Sequence, residues 1–327
     1  MAELRHAHAR AVESPRDAAL IMSPGARHIV QAALREEITV AELADRAAAD
    51  PAFAIRVLSV ANSVAYSPSR TVNNVHHACT LLGVRGLRNI ALSMVVADLV
   101  PAAEGADALL SNCLRRAVAA RELAALSGLV HKEDGFFAGL FLEVGLLHQA
   151  CDEFDACTAV ARAPARYRNV HERAFGLSPH PVMGASLARE LGLPDDMGQA
   201  IFDHHRTQKP EAALSAVCWA AEHVAAALEA GERTRNLRWA EKAATSLGVK
   251  GDDLHALLER IPGEVQELCL ALECGPRPLS SRRGLPQTPE DPLAEMHVQY
   301  DELVRVIEQL LDERDELREA LGRTASR

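Results

Sequence analysis

The sequence predicts an all-α protein: a compact multi-helix array, then a linker, then one further C-terminal helix. Three observations carry this. Apolar residues recur at three- and four-residue spacing through most of the chain, which is helix periodicity. No convincing alternating run of the kind a half-buried strand needs is present, and no internal repeat. Aromatic residues make up only 4% of the 327 positions, so the core must be built from Ala, Leu and Val, which disfavours a β-sandwich. At 48% apolar and 24% charged residues, the composition is that of an ordinary globular chain. Its length suffices to bury a core without disulfide or metal staples.

The elements follow in order. Residues 1–14 read as a flexible N-terminus. From Thr39, the set Val40, Leu43, Ala44 and Ala47 has helical spacing. Asp50-Pro51 reads as an N-cap followed by proline at the first helical position. The helix they start puts Phe53, Val57, Val60 and Val64 near one stripe, and it should end around Asn62-Ser63. Asn73 or Asn74 can cap the next helix, with Val75, Ala78, Cys79 and Leu82 inward and Gly83 at its C-terminal stop. Another helix starts near Arg85. Further helices are expected at about 106–127, 133–150, 153–163, 166–175, 180–191, 195–205, 211–229, 238–246, 251–260 and 262–272. Gly128, Gly176, Gly192 and Gly231 punctuate them. Residues 15–272 form the helical body, in two halves of about 15–104 and 105–272.

Residues 273–292 change character. Five prolines, two glycines and paired Ser and Arg mark an extended linker. Over 293–322 the spacing alternates between three and four residues. Leu293, Tyr300, Ile307, Arg314 and Leu321 form one row, and Met296, Leu303, Leu310 and Leu317 the other. That is a coiled-coil seam. A lone helix with this stripe exposes too much apolar surface to stay unpaired. Leu303, Ile307, Leu310, Leu317 and Leu321 are therefore the expected dimerisation residues. The alternative is a helix folded back on the body, because Val304, Val306 and Leu311 widen the stripe.

Charge and cysteine usage narrow the function classes. The net charge is −10, of which −6 falls from residue 290 onward. A near-neutral body and an acidic tail favour neither nucleic acid nor an anionic membrane. The start has no apolar signal-peptide core, and no stretch has the length of a membrane span. The seven cysteines, Cys79, Cys113, Cys151, Cys157, Cys218, Cys269 and Cys274, contain no C-x-x-C pair. They read as buried reduced thiols of a cytoplasmic protein without a nucleophilic role.

Histidine is the residue type that raises a metal question. His76-His77, His180 and His204-His205 stand out among fourteen. Neutral imidazoles bind transition metals, and carboxylate-bridged metal pairs hydrolyse phosphoesters. Yet no H-E-x-x-H occurs, and Asp203 is the one acid adjacent to these histidines. Capped or packed histidines are the plainer reading. Asn62 and Ser63 likewise read as a helix end satisfying loop backbone, with a binding role as the alternative. Arg85 and Arg88 read as a solvated edge, with phosphate contact as the alternative.

Several segments together resemble the HDOD domain. They are Glu42-Leu43-Ala44, Asp50-Pro51, Asn62-Ser63 and Leu82-Gly83, then Gly139 and Gly145 within FFAGLFLEVGLL. Last come His180, Gly184 and His204-His205 within HPVMGASLARELGLPDDMGQAIFDHH. HDOD domains are similar to HD phosphohydrolases, whose metal ligands follow an H…HD…D pattern. Carried over, the first His falls near Asn112, the HD pair on Leu142-Glu143 and the last Asp near Glu222. His180, His204 and His205 match histidines of the related motif. Leu142 has no lone pair, so the central ligand is lost. The weak metal candidates left are His180, His204, His205 and Glu143.

The resemblance implies a regulatory, signal-transducing role rather than catalysis, with no cofactor. The expected partner is a signalling protein. Homodimerisation is expected through the tail, and no membrane or nucleic-acid partner. The alternatives are a metal-dependent HD-type phosphodiesterase acting on a nucleotide, or a non-catalytic nucleotide binder, which no motif supports.

Overall fold

The computed structural model describes residues 39–49, 51–63, 71–98, 100, 106–163, 167–229 and 233–272. Asp50, the N-terminal 1–14, the linker over 273–292 and the whole expected coiled coil lie outside them. Among the described residues all regular structure is helical. The helices are α1 (Val40–Ala49), α2 (Pro51–Ala61), α3 (Val75–Asp98), α4 (Asp107–Ser127), α5 (Lys132–Phe141), α6 (Val144–Gln149) and α7 (Phe154–Arg162). They continue with α8 (Arg168–Ala174), α9 (His180–Glu190), α10 (Asp195–Asp203), α11 (Ala213–Ala226), α12 (Arg233–Ser246) and α13 (Gly251–Ala271). None is long and apolar enough to cross a membrane.

Local chemistry sets the first boundaries. Thr39 and Glu42 form a reciprocal capping box: Thr39 N–H donates to Glu42 Oε2 at 3.0 Å and Glu42 N–H to Thr39 Oγ1 at 3.2 Å. Pro51 opens α2. At its end, Asn62 Nδ2 donates to Val72 O and Asn62 Oδ1 accepts from Val72 N–H, both at 2.8 Å. Ser63 Oγ closes back on Val60 O. These two residues thus clamp the chain across the α2–α3 connection. Asn74 Oδ1 accepts from His77 N–H at the start of α3. Gly83 sits in that helix at φ 68°, ψ 179°. It divides two helical runs as the sequence predicts, because a side chain at that φ is disfavoured.

Helix α4 is the axis of the molecule. It packs against α5, α11, α13, α7 and α6. Its small residues Ala117, Ala119, Ala120 and Ala124 are fully buried. They let neighbours approach closely: a Cβ added at Gly139 of α5 would lie 2.6 Å from Arg116 O. The α6–α9 crossing is tighter still, since a Cβ at Gly145 would lie 2.2 Å from His180 O. Helices α1, α2 and α3 pack together, and α3 and α2 join the rest through α5 and α13. The α3–α5 contact is tied by Arg88 Nη2 donating to Asp134 Oδ1 at 2.8 Å, with its guanidinium over the Phe137 ring. Arg88 is therefore engaged within the fold, not presented to a phosphate. Arg85 faces the same carboxylate at 3.8 Å.

Three sequence-based boundaries need correction. The helix expected over 133–150 is two helices, α5 and α6. It breaks at Leu142-Glu143, where Glu143 leaves helical geometry (φ −98°, ψ 4°) and its carboxylate meets two arginines. The pair expected over 251–260 and 262–272 is one helix, α13, running through Pro262. Helix α12 also begins at Arg233, earlier than expected, ahead of its buried stripe of Ala240, Ala243 and Ala244.

Candidate functional site

The residues carried over from the metal-ligand pattern do converge, but on arginine. Arg116 lies on α4 and is 0% exposed. Its Nε lies 2.5 Å from Glu222 Oε2 and 3.0 Å from Glu143 Oε1, and its Nη2 donates to Glu222 Oε1 at 3.0 Å. Nη2 also pairs with Glu229 Oε1 at 3.2 Å, and Nη1 donates to the Asn112 carbonyl at 3.2 Å. Arg168, the first residue of α8 and equally buried, donates from Nη1 to Glu143 Oε1 and from Nη2 to Glu229 Oε1, both at 2.7 Å. Arg115 Nη1 donates to Asn112 Oδ1 at 2.9 Å and faces Glu229. Arg115, Arg116 and Arg168 thus face Glu143, Glu222 and Glu229, an equal number of opposite charges.

A second layer adjoins it. The His180 ring starts α9, and Glu172 of α8 accepts from both its backbone N–H (2.8 Å) and its Nδ1 (2.6 Å). His204 Nδ1 bonds the Ile201 carbonyl at 2.5 Å. His180 Nε2 lies 3.2 Å from His204 Nε2 and 3.0 Å from His205 Nε2. The glycine-tight α6–α9 crossing sets this ring against Glu143, whose Oε1 is 3.9 Å from His180 Nε2. Single ligand atoms of Glu143, His180, His204 and His205 all lie within 4.8 Å of one another. Leu142, by contrast, is fully buried in the apolar core.

Burial and charge set the ionisation here. Burial opposes the Glu143 carboxylate, but the Arg116 and Arg168 guanidiniums overcome it and hold its pKa at about 2. Glu222 is held well below the usual carboxylate range in the same way, chiefly by Arg116. Burial, reinforced by His180, lowers His204 to about 4. Burial and then His204 push His205 well below the usual imidazole range. Both are neutral near pH 7. Burial pushes the Cys113 thiol up to about 12, which leaves no reactive thiolate beside the network.

The other motif residues play structural parts. Asn62 and Ser63 hold the end of α2, away from this network. Gly139, Gly145 and Gly184 mark close helix crossings. His76 pairs with Asp45 on the surface. Arg116, Arg168, Glu172 and Glu229 are not legible as site residues in the sequence. The one signal is the Arg115-Arg116 pair, two charges set within the apolar run of Leu114, Ala117 and Val118, and it does not single out Arg116.

The HDOD domain family matches residues 22–207, more than half of the chain, and the chain belongs to that family. A Shewanella amazonensis SB2B protein named as a phosphohydrolase is similar in structure. It is 23% identical with a TM-score of 0.59, over 77% of this chain and 94% of that one. An HDOD domain protein of Geobacter sulfurreducens is 21% identical with a TM-score of 0.58, over 82% and 95%. A Marinobacter aquaeolei VT8 protein named for signal transduction is 20% identical with a TM-score of 0.61, over 83% and 64%. At these identities the likeness is one of fold. No curated protein matches the sequence.

The metal pair of HD phosphohydrolases does not fit these residues. Leu142 offers no donor, and the two carboxylates that would bridge cations, Glu143 and Glu222, both hold Arg116. The imidazole end, with Glu143 Oε2 buried and without a hydrogen-bond partner, is a chemically sound donor set for at most one ion.

Proposed function

We propose that the protein is a non-catalytic signal-transduction scaffold. Its HDOD domain binds a protein partner, and its C-terminal helix self-associates or docks. The observation that carries this is the clamping of Arg116 between Glu143 and Glu222, with Leu142 buried where hydrolysis needs an imidazole. With no donor at Leu142 and with Glu143 and Glu222 both bound to Arg116, these residues do not fit the two-metal centre that would activate water. The name of the Marinobacter protein agrees with a signalling role. The mechanism would be conformational: a partner that binds one packing of the helices better than another shifts the population toward it. Co-purification with the full chain and with the chain lacking 290–327 as separate baits tests the reading. A partner held by both baits is expected. Recovery of none would overturn partner binding.

The convergence of Glu143, His180, His204 and His205 favours one second reading, a metal-dependent HD-type phosphodiesterase acting on a nucleotide. Assay of a generic phosphodiester with added Mn2+ separates the two. The scaffold reading expects no turnover. Metal-dependent turnover abolished by His204→Ala would replace it with the enzyme.

A further inference from the structure

We infer that the guanidinium of Arg116, seconded by Arg168, is this site's resident cation, taking the place between Glu143 and Glu222 that a bridging metal ion would occupy. This deepens the non-catalytic reading and rests on it.

Every position carried over from the H…HD…D pattern that retains a polar group touches an arginine. Glu143 and Glu222 bond Arg116, the Asn112 carbonyl bonds Arg116, and the Asn112 side-chain oxygen bonds Arg115. The Arg116–Glu222 contact is two-pronged, which a planar guanidinium makes and an ammonium cannot. Charge is matched at the arginine layer as well: Arg115, Arg116 and Arg168 face Glu143, Glu222 and Glu229. A divalent ion held by the imidazoles and Glu143 Oε1 would share that oxygen with Arg168 Nη1, which is 2.7 Å from it. In a buried setting the repulsion between the two cations is poorly screened. Arg116 also has no route to water, being 0% exposed. Its charge serves only this interior.

The test uses the full chain, stripped with chelator and then offered Mn2+ or Zn2+. Metal retained after desalting and the melting temperature are both read. The wild-type chain is expected to retain no stoichiometric ion and to melt at the same temperature with chelator as with metal. Arg116→Ala is expected to melt roughly 10 °C lower, since a buried charge pair is broken. It should recover part of that loss with Mn2+, holding the ion on the freed carboxylates. Arg116→Lys, with its single point charge, should fall between. A wild-type chain that carries one ion or melts higher with it overturns the inference, as does Arg116→Ala that melts like the wild type. Should Arg116→Ala yield no folded protein, the wild-type metal content and Arg116→Lys decide. An ion held by the wild type without phosphodiester turnover would end this inference and leave the scaffold reading intact. Turnover would end both, and failure to capture a partner would end the scaffold reading alone.

Discussion

Arg116 and Glu222 are 106 positions apart in sequence and meet side-on in the core, Nε to Oε2 at 2.5 Å and Nη2 to Oε1 at 3.0 Å. The pair fastens α4 to α11 at a point where both helices are otherwise lined with alanine. Burying these charges costs solvation that largely cancels their attraction, so the intact pair adds little net stability. Breaking it is another matter, because the surviving charge stays buried.

Glu222→Gln should therefore destabilise the fold by about 3–5 kcal/mol. Glu222→Gln combined with Arg116→Met should cost less than the sum of the two single changes, since no orphaned charge is left between them. Urea unfolding of the two single variants and the double variant measures this coupling. Strict additivity would show that the two groups do not act as a pair.

The pH dependence of stability follows from the neutral histidines. His204 is lowered to about 4 and His205 well below its ordinary value, both by burial first. In the unfolded chain both protonate below about pH 6.5. Between these values the unfolded state binds more protons than the native state, so stability falls as pH drops. His204 alone contributes a loss of roughly 3 kcal/mol between about pH 6.5 and 4. Glu143 and Glu222, depressed by Arg116, extend the decline below about pH 4.3, where the unfolded carboxyls begin to protonate. Urea midpoints should be flat above about pH 7 and drop steadily below 6.5. His204→Asn should flatten the upper part of that slope. A midpoint unchanged from pH 7 to 5 would contradict buried neutral imidazoles.

The glycine at the α6–α9 crossing is the next test. At Gly145 an added methyl would sit 2.2 Å from the His180 carbonyl and 2.7 Å from Gly184 N. Backbone, not a flexible side-chain end, must then move. Gly145→Ala should cost about 3 kcal/mol, at the upper end of ordinary overpacking, and should displace His180 from Glu172. Gly198→Ala on α10, with open space around it, is the control and should be neutral or slightly stabilising.

These cases mark what sequence could and could not disclose. Periodicity and punctuation gave the helical class and most element positions, because apolar spacing and the stops at Gly83 and Gly128 are local signals. The break at Leu142-Glu143 was not legible. Phe141, Leu142, Val144 and Leu146 are all apolar and buried, so the pattern reads as one continuous helix, and long-range arginine contacts hold the turn. Pro262 misled in the opposite direction, since tertiary packing carries α13 through it. Within the site, the histidines and Glu143 could be named from motif positions. Arg116, Arg168, Glu172 and Glu229 could not, because a buried arginine differs from a surface one only in its partners, and those are remote in the chain.

The linkage of Asn62 to Val72 gives a prediction about a motif whose role the sequence left open. One side-chain amide both donates to and accepts from the same backbone residue, at 2.8 Å each way, and also donates to Leu58 O. Asn62→Ala would forfeit these bonds at about 1 kcal/mol apiece, roughly 2–3 kcal/mol in all. Asn62→Asp keeps the acceptor and loses the donor, and should recover about a third of that. A binding role would instead leave stability unchanged and alter partner capture. Thermal melts and co-purification of both variants tell the two apart.

The tail supplies the last prediction, and it rests on sequence periodicity. In the sequence Leu303, Ile307, Leu310, Leu317 and Leu321 recur at coiled-coil spacing, which on a helix would give a stripe too apolar to face water. A carboxylate at a central core position of a paired helix must be buried or the seam must open, and both are costly. Leu310→Asp should thus lower the self-association seen by sedimentation at micromolar concentration, and deletion of 290–327 should abolish it. By spacing Arg314 falls in the same expected seam, so Arg314→Leu should tighten association by removing a charge from its core. Were the helix instead folded back on the body, the wild type would sediment as a monomer at every concentration. Leu310→Asp would then lower the melting temperature without changing mass, which separates docking in cis from pairing in trans.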